Sequence, residues 1–284
     1  MLLETILLVV ALGGSVLAGI IDLKTTEIPD WIPYVMIGVG IAGNLVKSYL
    51  LWTYTPILLS VLVGLLFLGF GFMLYYTGQW GGGDAKLLSG IGFLLPQLSG
   101  IRTFFPFPLS FFFNVFFVGA FYMIGYTVVM ALMNRRILVA FAKDLKGRIK
   151  ELLLLNLGII VFLGIIGVYT VNHLGIVTAG DMLIFGGAVL AMTIGMFTLW
   201  RFAKAVEDIG FKRKIKVSKL REGDVPDDSK IWEGLTKDQV EKIKKSGKKE
   251  IVIKEGVRFG PVFAIALIVT VLAGDAVFWI VGIV

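Results

Sequence analysis

Cysteine is absent from the 284 residues, and histidine occurs once, at His173. The first absence excludes a disulfide framework and any thiolate metal site. The second leaves no histidine cluster, and with it little basis for a Ser-His nucleophile pair. Long Pro- or Ser-rich linkers are missing, and no clear internal repeat is present. Charged residues are scarce at 17%, while hydrophobic residues reach 57% and mean hydropathy +0.89. That excess is typical of a polytopic membrane protein and too large for a soluble domain.

A helical span needs roughly 20 mostly apolar residues. Candidates lie at about 3–21, 32–50, 56–76, 86–98, 110–133, 152–171, 182–200 and 260–282. The expected fold is therefore a polytopic α-helical membrane protein with six to eight transmembrane helices, eight preferred, and a small cytoplasmic α+β subdomain. The fourth candidate is the shortest. With eight spans, every one of the 27 lysines and arginines except Lys47 and Arg102 falls on a single side. The positive-inside rule makes that side cytoplasmic. Losing the fourth span would carry a large basic block outside, so the charge split argues for it. Met1 to Glu4 has no basic segment, so the first helix reads as retained, with an external N-terminus, rather than as a secretory signal. The net charge of +7 is then mostly membrane orientation, with attraction to membrane lipids of anionic type as an addition and no nucleic-acid partner expected.

The expected organisation is a membrane helical domain at 1–202, a cytoplasmic α+β subdomain at 203–258 and a C-terminal transmembrane helix at 259–284. Within the subdomain, Lys214 to Leu220 and Glu250 to Lys254 read as strands. Thr236 and Gln239 have capping-box spacing before a short helix whose apolar face is Leu235, Val240 and Ile243, and Gly247 is its stop. The sixth and seventh spans read as a hairpin joined by 172–181. Ser15 with Gly19, and Gly187 with Ala191, are small-residue pairs suited to close helix packing. The aromatic run from Phe104 to Phe117 reads as packing or lipid-facing surface.

Two acids stand at membrane boundaries. Asp22 ends the first span, and Asp84 enters the fourth after Gly81, Gly82 and Gly83. Span parity puts both on the cytoplasmic side. Two carboxylates brought together cannot both ionise easily; they share one proton, so that one acts as base and the other as acid on a water. This chemistry needs no metal, thiol or histidine, and no cofactor is expected. The three glycines allow positive φ and close backbone approach. Lys86, two residues on, is placed to tune Asp84 or to bind a carbonyl. The plain alternative for Gly81 to Asp84 is a flexible loop with a helix-capping aspartate. Pro29 suits the first turn of the second span, Asp30 caps or solvates that helix, and Glu27 reads as a solvated charge and the nearest rival to Asp22. Asp275, inside the last span, reads as a buried structural hydrogen-bonding group, and Asp181 as a helix cap. Asn44 and Asn114 read as interhelical hydrogen-bonding groups, and His173 as a surface residue.

The segments Asp22-Leu-Lys-Thr-Thr-Glu-Ile-Pro29 and Gly81-Gly-Gly-Asp-Ala-Lys-Leu87 resemble the archaeal prepilin and preflagellin peptidases. These are GxGD membrane aspartyl proteases of the type IV prepilin peptidase group. Residues 219–262, with Leu235-Thr236, Glu255-Gly256-Val257 and Phe259-Gly260-Pro261, are similar to the C-terminal region of archaeal members. The resemblance implies catalytic Asp22 and Asp84. It also implies cleavage of class III signal peptides from type IV pilin-like or archaellin precursors at the cytoplasmic membrane face. Such substrates carry basic residues before the cleavage point, and Glu27 and Asp30 would offer them an acidic rim. Eight spans exceed the compact six-span form of preflagellin peptidases, with 152–200 the addition. The cysteine-containing N-terminal domain of bifunctional bacterial relatives has no counterpart, so no methyltransferase activity is expected. Presenilin-like proteases share GxGD but use Tyr-Asp, whereas Ile21 precedes Asp22. Two other classes stand beside this reading: a transporter or channel whose boundary acids bind a cation, and a structural assembly subunit whose basic subdomain binds a partner.

Overall fold

The computed structural model describes residues 2–173, 178–229, 234–254, 256–276 and 278. In chain order the elements are α1 (Leu2–Thr25), α2 (Trp31–Leu51), α3 (Thr55–Tyr76), α4 (Gly82–Leu94), α5 (Phe107–Met133), α6 (Arg135–Gly147), α7 (Ile149–His173), α8 (Ala179–Val206), β1 (Lys212–Lys216), β2 (Val225–Pro226), α9 (Lys237–Lys245), β3 (Glu250–Lys254) and α10 (Gly260–Ala273). Among the described residues, six helical stretches are long and apolar enough to cross a membrane: 2–25, 31–51, 55–76, 107–133, 149–170 and 180–211. The two remaining expected spans are shorter. α4 has 13 residues, and α10 has 14 before Gly274 takes φ +68 and ends it. The fold is thus the expected polytopic helical one with a small α+β part. Residues 277 and 279–284 of the expected last span lie outside the description.

The chain divides into two compact units, one of 1–125 with 213–284, the other of 126–212. In the first, α4 is the buried centre. Every residue from Leu87 to Leu94 is buried, so its apolar character on all sides is what a fully enclosed helix requires. A short helix ending inside protein leaves carbonyls to satisfy. Asn44 of α2 donates to Phe93 O at 3.0 Å and Ser60 of α3 donates to the same oxygen at 2.6 Å. Ser89 Oγ in turn donates to Gly64 O at 2.9 Å. α1 lies along α10, where a Cβ on Gly19 would meet Pro261 Cα at 2.9 Å; the Ser15–Gly19 pair thus serves a real close approach. Asn114 of α5 donates to Thr270 Oγ1 and Gly274 O and accepts from Ala276 N, while Asp275 accepts from Phe104 N. Asn44, Asn114 and Asp275 are therefore structural hydrogen-bonding groups, as expected.

The strands form one sheet in the order β1-β3-β2, with β2 antiparallel to β3 and Pro226 opposite Ile253. α9 is capped by Thr236, whose hydroxyl accepts from Gln239 N, and the helix gives way to Gly247 at φ +75. Leu220, Val240 and Ile253 make the small core, with Leu235 and Ile243 against it. The first strand stops earlier than expected: Val217–Lys219 turn into a short 3-10 segment, which tucks Val217 and Leu220 inward.

The second unit holds α6 to α8. α6 lies in a stretch expected as loop; its charges occupy one side while Ile137 packs against Ala131, Ala205 and Val206. Asp144 accepts two hydrogen bonds from Arg201, which hold its carboxyl below the usual carboxylate range with Arg148 assisting. α7 and α8 present mostly exposed apolar faces, suited to lipid. Gly187 has no neighbour within contact distance, so the Gly187–Ala191 pair makes no close approach among the described residues. Thr178 caps α8 and Asp181 is its reciprocal partner in the capping box. The side chain of His173 lies outside the description.

Candidate active site

Asp22 occupies the last turn of α1 and is only 5% exposed. Its Oδ2 accepts the Gly260 N–H at 2.7 Å, across 238 residues of sequence. Gly260 opens α10 with Pro261 behind it, the pairing expected at a helix start. A Cβ on Gly260 would stand 2.9 Å from Asp22 Cβ, so only glycine lets the amide reach the carboxylate. Helix N-termini favour negative charge, and here the favoured charge comes from another helix.

Asp84 sits in the first turn of α4, ahead of the apolar stretch, and is partly buried. Its Oδ2 accepts the Gly81 N–H at 3.0 Å, a carboxylate closing the start of its own helix. Asp22 lies close enough for its charge to act on Asp84. Two carboxylates within Coulombic reach of each other cannot both ionise easily. The structure therefore brings together the two acids that the sequence singled out, from helices that end and begin at the same place.

The neighbouring residues divide. None of Gly81, Gly82 and Gly83 takes a positive φ. The conformational freedom expected of them is not used there; close approach is. A Cβ on Gly83 would come within 2.8 Å of Ile28 Cβ, whereas one on Gly82 would meet nothing nearer than the Tyr75 ring at 3.8 Å. Lys86 Nζ binds Asp30 Oδ1 at 2.6 Å and stands 5.6 Å over the Tyr34 ring. It joins α4 to the start of α2, and Asp30 makes this ion pair instead of capping α2 with its side chain. Glu27 is exposed, and its Oε1 lies 3.2 Å from where a Cβ on Gly223 would stand, so the subdomain borders the α1–α2 turn.

Three contributors escaped the sequence reading. Trp80 is buried beside Gly81 and packs on Phe116, Phe259 and Phe263 with ring centroids 5.6 to 5.9 Å away. It ties the segment carrying Asp84 to the segment carrying the Asp22 partner. Gly260 and Arg258 are the others, with the Arg258 guanidinium in Coulombic reach of Asp22. The Phe259-Gly260-Pro261 string was the available signal, but nothing local tells that its amide faces a residue of the first helix. Among the described residues, no group of three or more His, Cys, Asp or Glu side chains converges as a metal site would.

Residues 9–124, which include both aspartates, match the type IV leader peptidase family. A preflagellin peptidase of Methanococcus voltae is 31% identical over 119 residues, covering 37% of this chain and 49% of the relative. A preflagellin peptidase of Methanocaldococcus jannaschii is 32% identical over 84 residues, covering 30% of this chain and 36% of the relative. The chain thus spans about half the length of the first relative and about a third of the second. Both aspartate motifs thus lie inside the segment that resembles the type IV leader peptidases.

Proposed function

We propose, from the match of residues 9–124 to the type IV leader peptidases, that this chain is a membrane aspartyl endopeptidase acting on pilin-like or archaellin precursors. The observation that carries the reading is the meeting of Asp22 and Asp84 inside the matched segment, each held by a backbone amide from a helix start. Water placed between the carboxylates gives a proton to the ionised one while its oxygen attacks the scissile carbonyl carbon. The protonated partner stabilises the developing oxyanion, and collapse then breaks the C–N bond, a proton passing to the leaving amine. The product pair is a new carboxyl terminus on the signal peptide and a free amine on the mature protein.

The split of basic residues supports a cytoplasmic location for the site and for the 203–258 subdomain in a multi-pass cell membrane protein. On this reading the substrates carry basic residues near the cleavage point, and an acidic rim at the site receives them. Asp30 is already paired with Lys86, so Glu27 is the acid left to receive such a flank. No observation favours a transporter that binds a cation at boundary acids.

The test is cleavage of a precursor panel by the purified full chain in lipid nanodiscs, with product masses fixing the cut. A single cut ahead of the hydrophobic segment is expected, with the Michaelis constant rising several-fold when Glu27→Lys meets a basic-flanked peptide. An intact panel in the presence of folded protein would contradict the assignment; an unchanged Michaelis constant would remove Glu27 from it.

A further inference from the structure

We infer that α6 is an interfacial helix that docks on the headgroups of phosphate-bearing anionic lipids. Leu138, Ala142 and Leu145 face the acyl boundary, and Arg135, Arg136, Lys143 and Lys146 stand among the phosphates. The inference concerns the second unit alone and is independent of the aspartate chemistry.

The position of α6 follows from its connections. At each end a single residue joins it to a helix long and apolar enough to cross a membrane: Asn134 links it to α5, and Arg148 links it to α7. Both links are taut. Asn134 N donates to Met130 O at 2.9 Å, and the Asn134 side chain accepts from Arg136 N at 3.2 Å. Arg148 N donates to Asp144 O at 3.1 Å. Two consecutive crossings bring the end of α5 and the start of α7 to the same bilayer surface. The 13 residues between them make a rod about 20 Å long. A rod with both ends at one surface lies along that surface.

Its side chains then sort into three strips. Ile137, Phe141 and Asp144 face the protein: Ile137 packs with Ala131, Ala205 and Val206, Phe141 stands edge-on to Phe202 with centroids 5.4 Å apart, and Asp144 accepts from Arg201. Leu138, Ala142 and Leu145 recur at helical spacing and form an apolar strip beside the first. Leu138 and Ala142 are exposed, and Leu145 is partly buried. Arg135, Arg136, Lys143 and Lys146 are all exposed and make the third strip, with exposed Val139 among them. Among the described residues none of these four cations makes an ion pair. The one acid of α6, Asp144, is taken by Arg201 and Arg148, and Glu151 beyond it is taken by Arg148. Single exposed leucines are ordinary. An exposed apolar strip bordered by cations without acids, on a helix held along a bilayer surface, fits a lipid interface. The apolar side chains reach the acyl boundary, and the basic ones lay their methylene stems beside them with the charged ends outward. Charge selects the headgroup: the unpaired cations attract anionic lipid over zwitterionic lipid, and the arginine forks match phosphate oxygens.

The chain has no native cysteine, so one bimane label reads α6 locally. The full chain carrying Val139→Cys is labelled, placed in mixed phosphatidylcholine and phosphatidylglycerol bilayers, and quenched by nitroxide lipids of either headgroup. The phosphatidylglycerol quencher should be at least about threefold more effective than the phosphatidylcholine quencher. Combining Arg135→Gln, Arg136→Gln, Lys143→Gln and Lys146→Gln should bring that ratio to about one. A label on Ile184→Cys, exposed near the start of α8 and away from Arg201, should give a ratio of about one throughout. If the combined variant fails to fold, salt makes the same test on the chain that keeps all four cations. At about 1 M the Debye length falls to about 3 Å, and the ratio should again approach one. No quenching at Val139→Cys by either lipid would place α6 in water and overturn the inference. Equal quenching by both lipids, or an Ile184→Cys ratio as high as that at Val139→Cys, would overturn the lipid preference assigned to α6. A ratio abolished by millimolar inorganic phosphate at constant ionic strength would overturn it too, in favour of a site for free phosphate.

Discussion

Asp22 and Asp84 are one residue type held in two settings. Asp22 is enclosed and receives its amide from a distant helix start; Asp84 is partly buried and receives one from its own. The glycines give a test by calorimetry or thermal melting. Gly83→Ala forces a Cβ onto Ile28 and should cost about 1–3 kcal/mol, whereas Gly82→Ala has room and should stay within about 0.5 kcal/mol or gain slightly from helix propensity. Equal effects would mean that crowding at Ile28 is not what selects glycine at position 83.

At the scale of elements, much was legible because hydropathy and capping act locally. The six long helices follow from unbroken apolar runs, and α9 from Thr236, Gln239 and its apolar face. α4 was expected at 86–98 and begins instead at Gly82, because the Asp84 carboxylate closes the first turn among glycines that read as loop. α6 was missed since its charges resemble a loop until the side carrying Ile137 finds Ala205 and Val206. β2 was missed because two residues pair only through β3, a partner nearly thirty positions away at Val225 and Lys254. The candidate site was half legible for the same reason. Asp22, Asp84 and Gly83 announce themselves through spacing and composition. Gly260, Trp80 and Arg258 become visible only when α10 is laid against α1, since a hydrogen bond spanning 238 residues leaves no local trace.

At the scale of the whole molecule, the family match covers the helices that carry both acids, and the far end of the chain supplies what holds one of them. Sidedness rests on charge distribution and on a crossing at α4, and the absence of native cysteine makes it directly measurable. Single cysteines at Gln79 and Asp238 should react with an impermeant maleimide from the cytoplasmic side only, and those at Tyr54 and Ser99 from the outside only. Labelling of Gln79 and Ser99 from the same side would remove the α4 crossing and the parity built on it. The central claim, that Asp22 and Asp84 together activate water to cut a peptide bond, is tested most directly by precursor cleavage in nanodiscs with Asp22→Asn and Asp84→Asn as the only changes. The account predicts that each variant inserts and melts as a folded protein yet loses cleavage by at least about 1,000-fold, a barrier increase of about 4 kcal/mol. Near-normal turnover by either variant would contradict it.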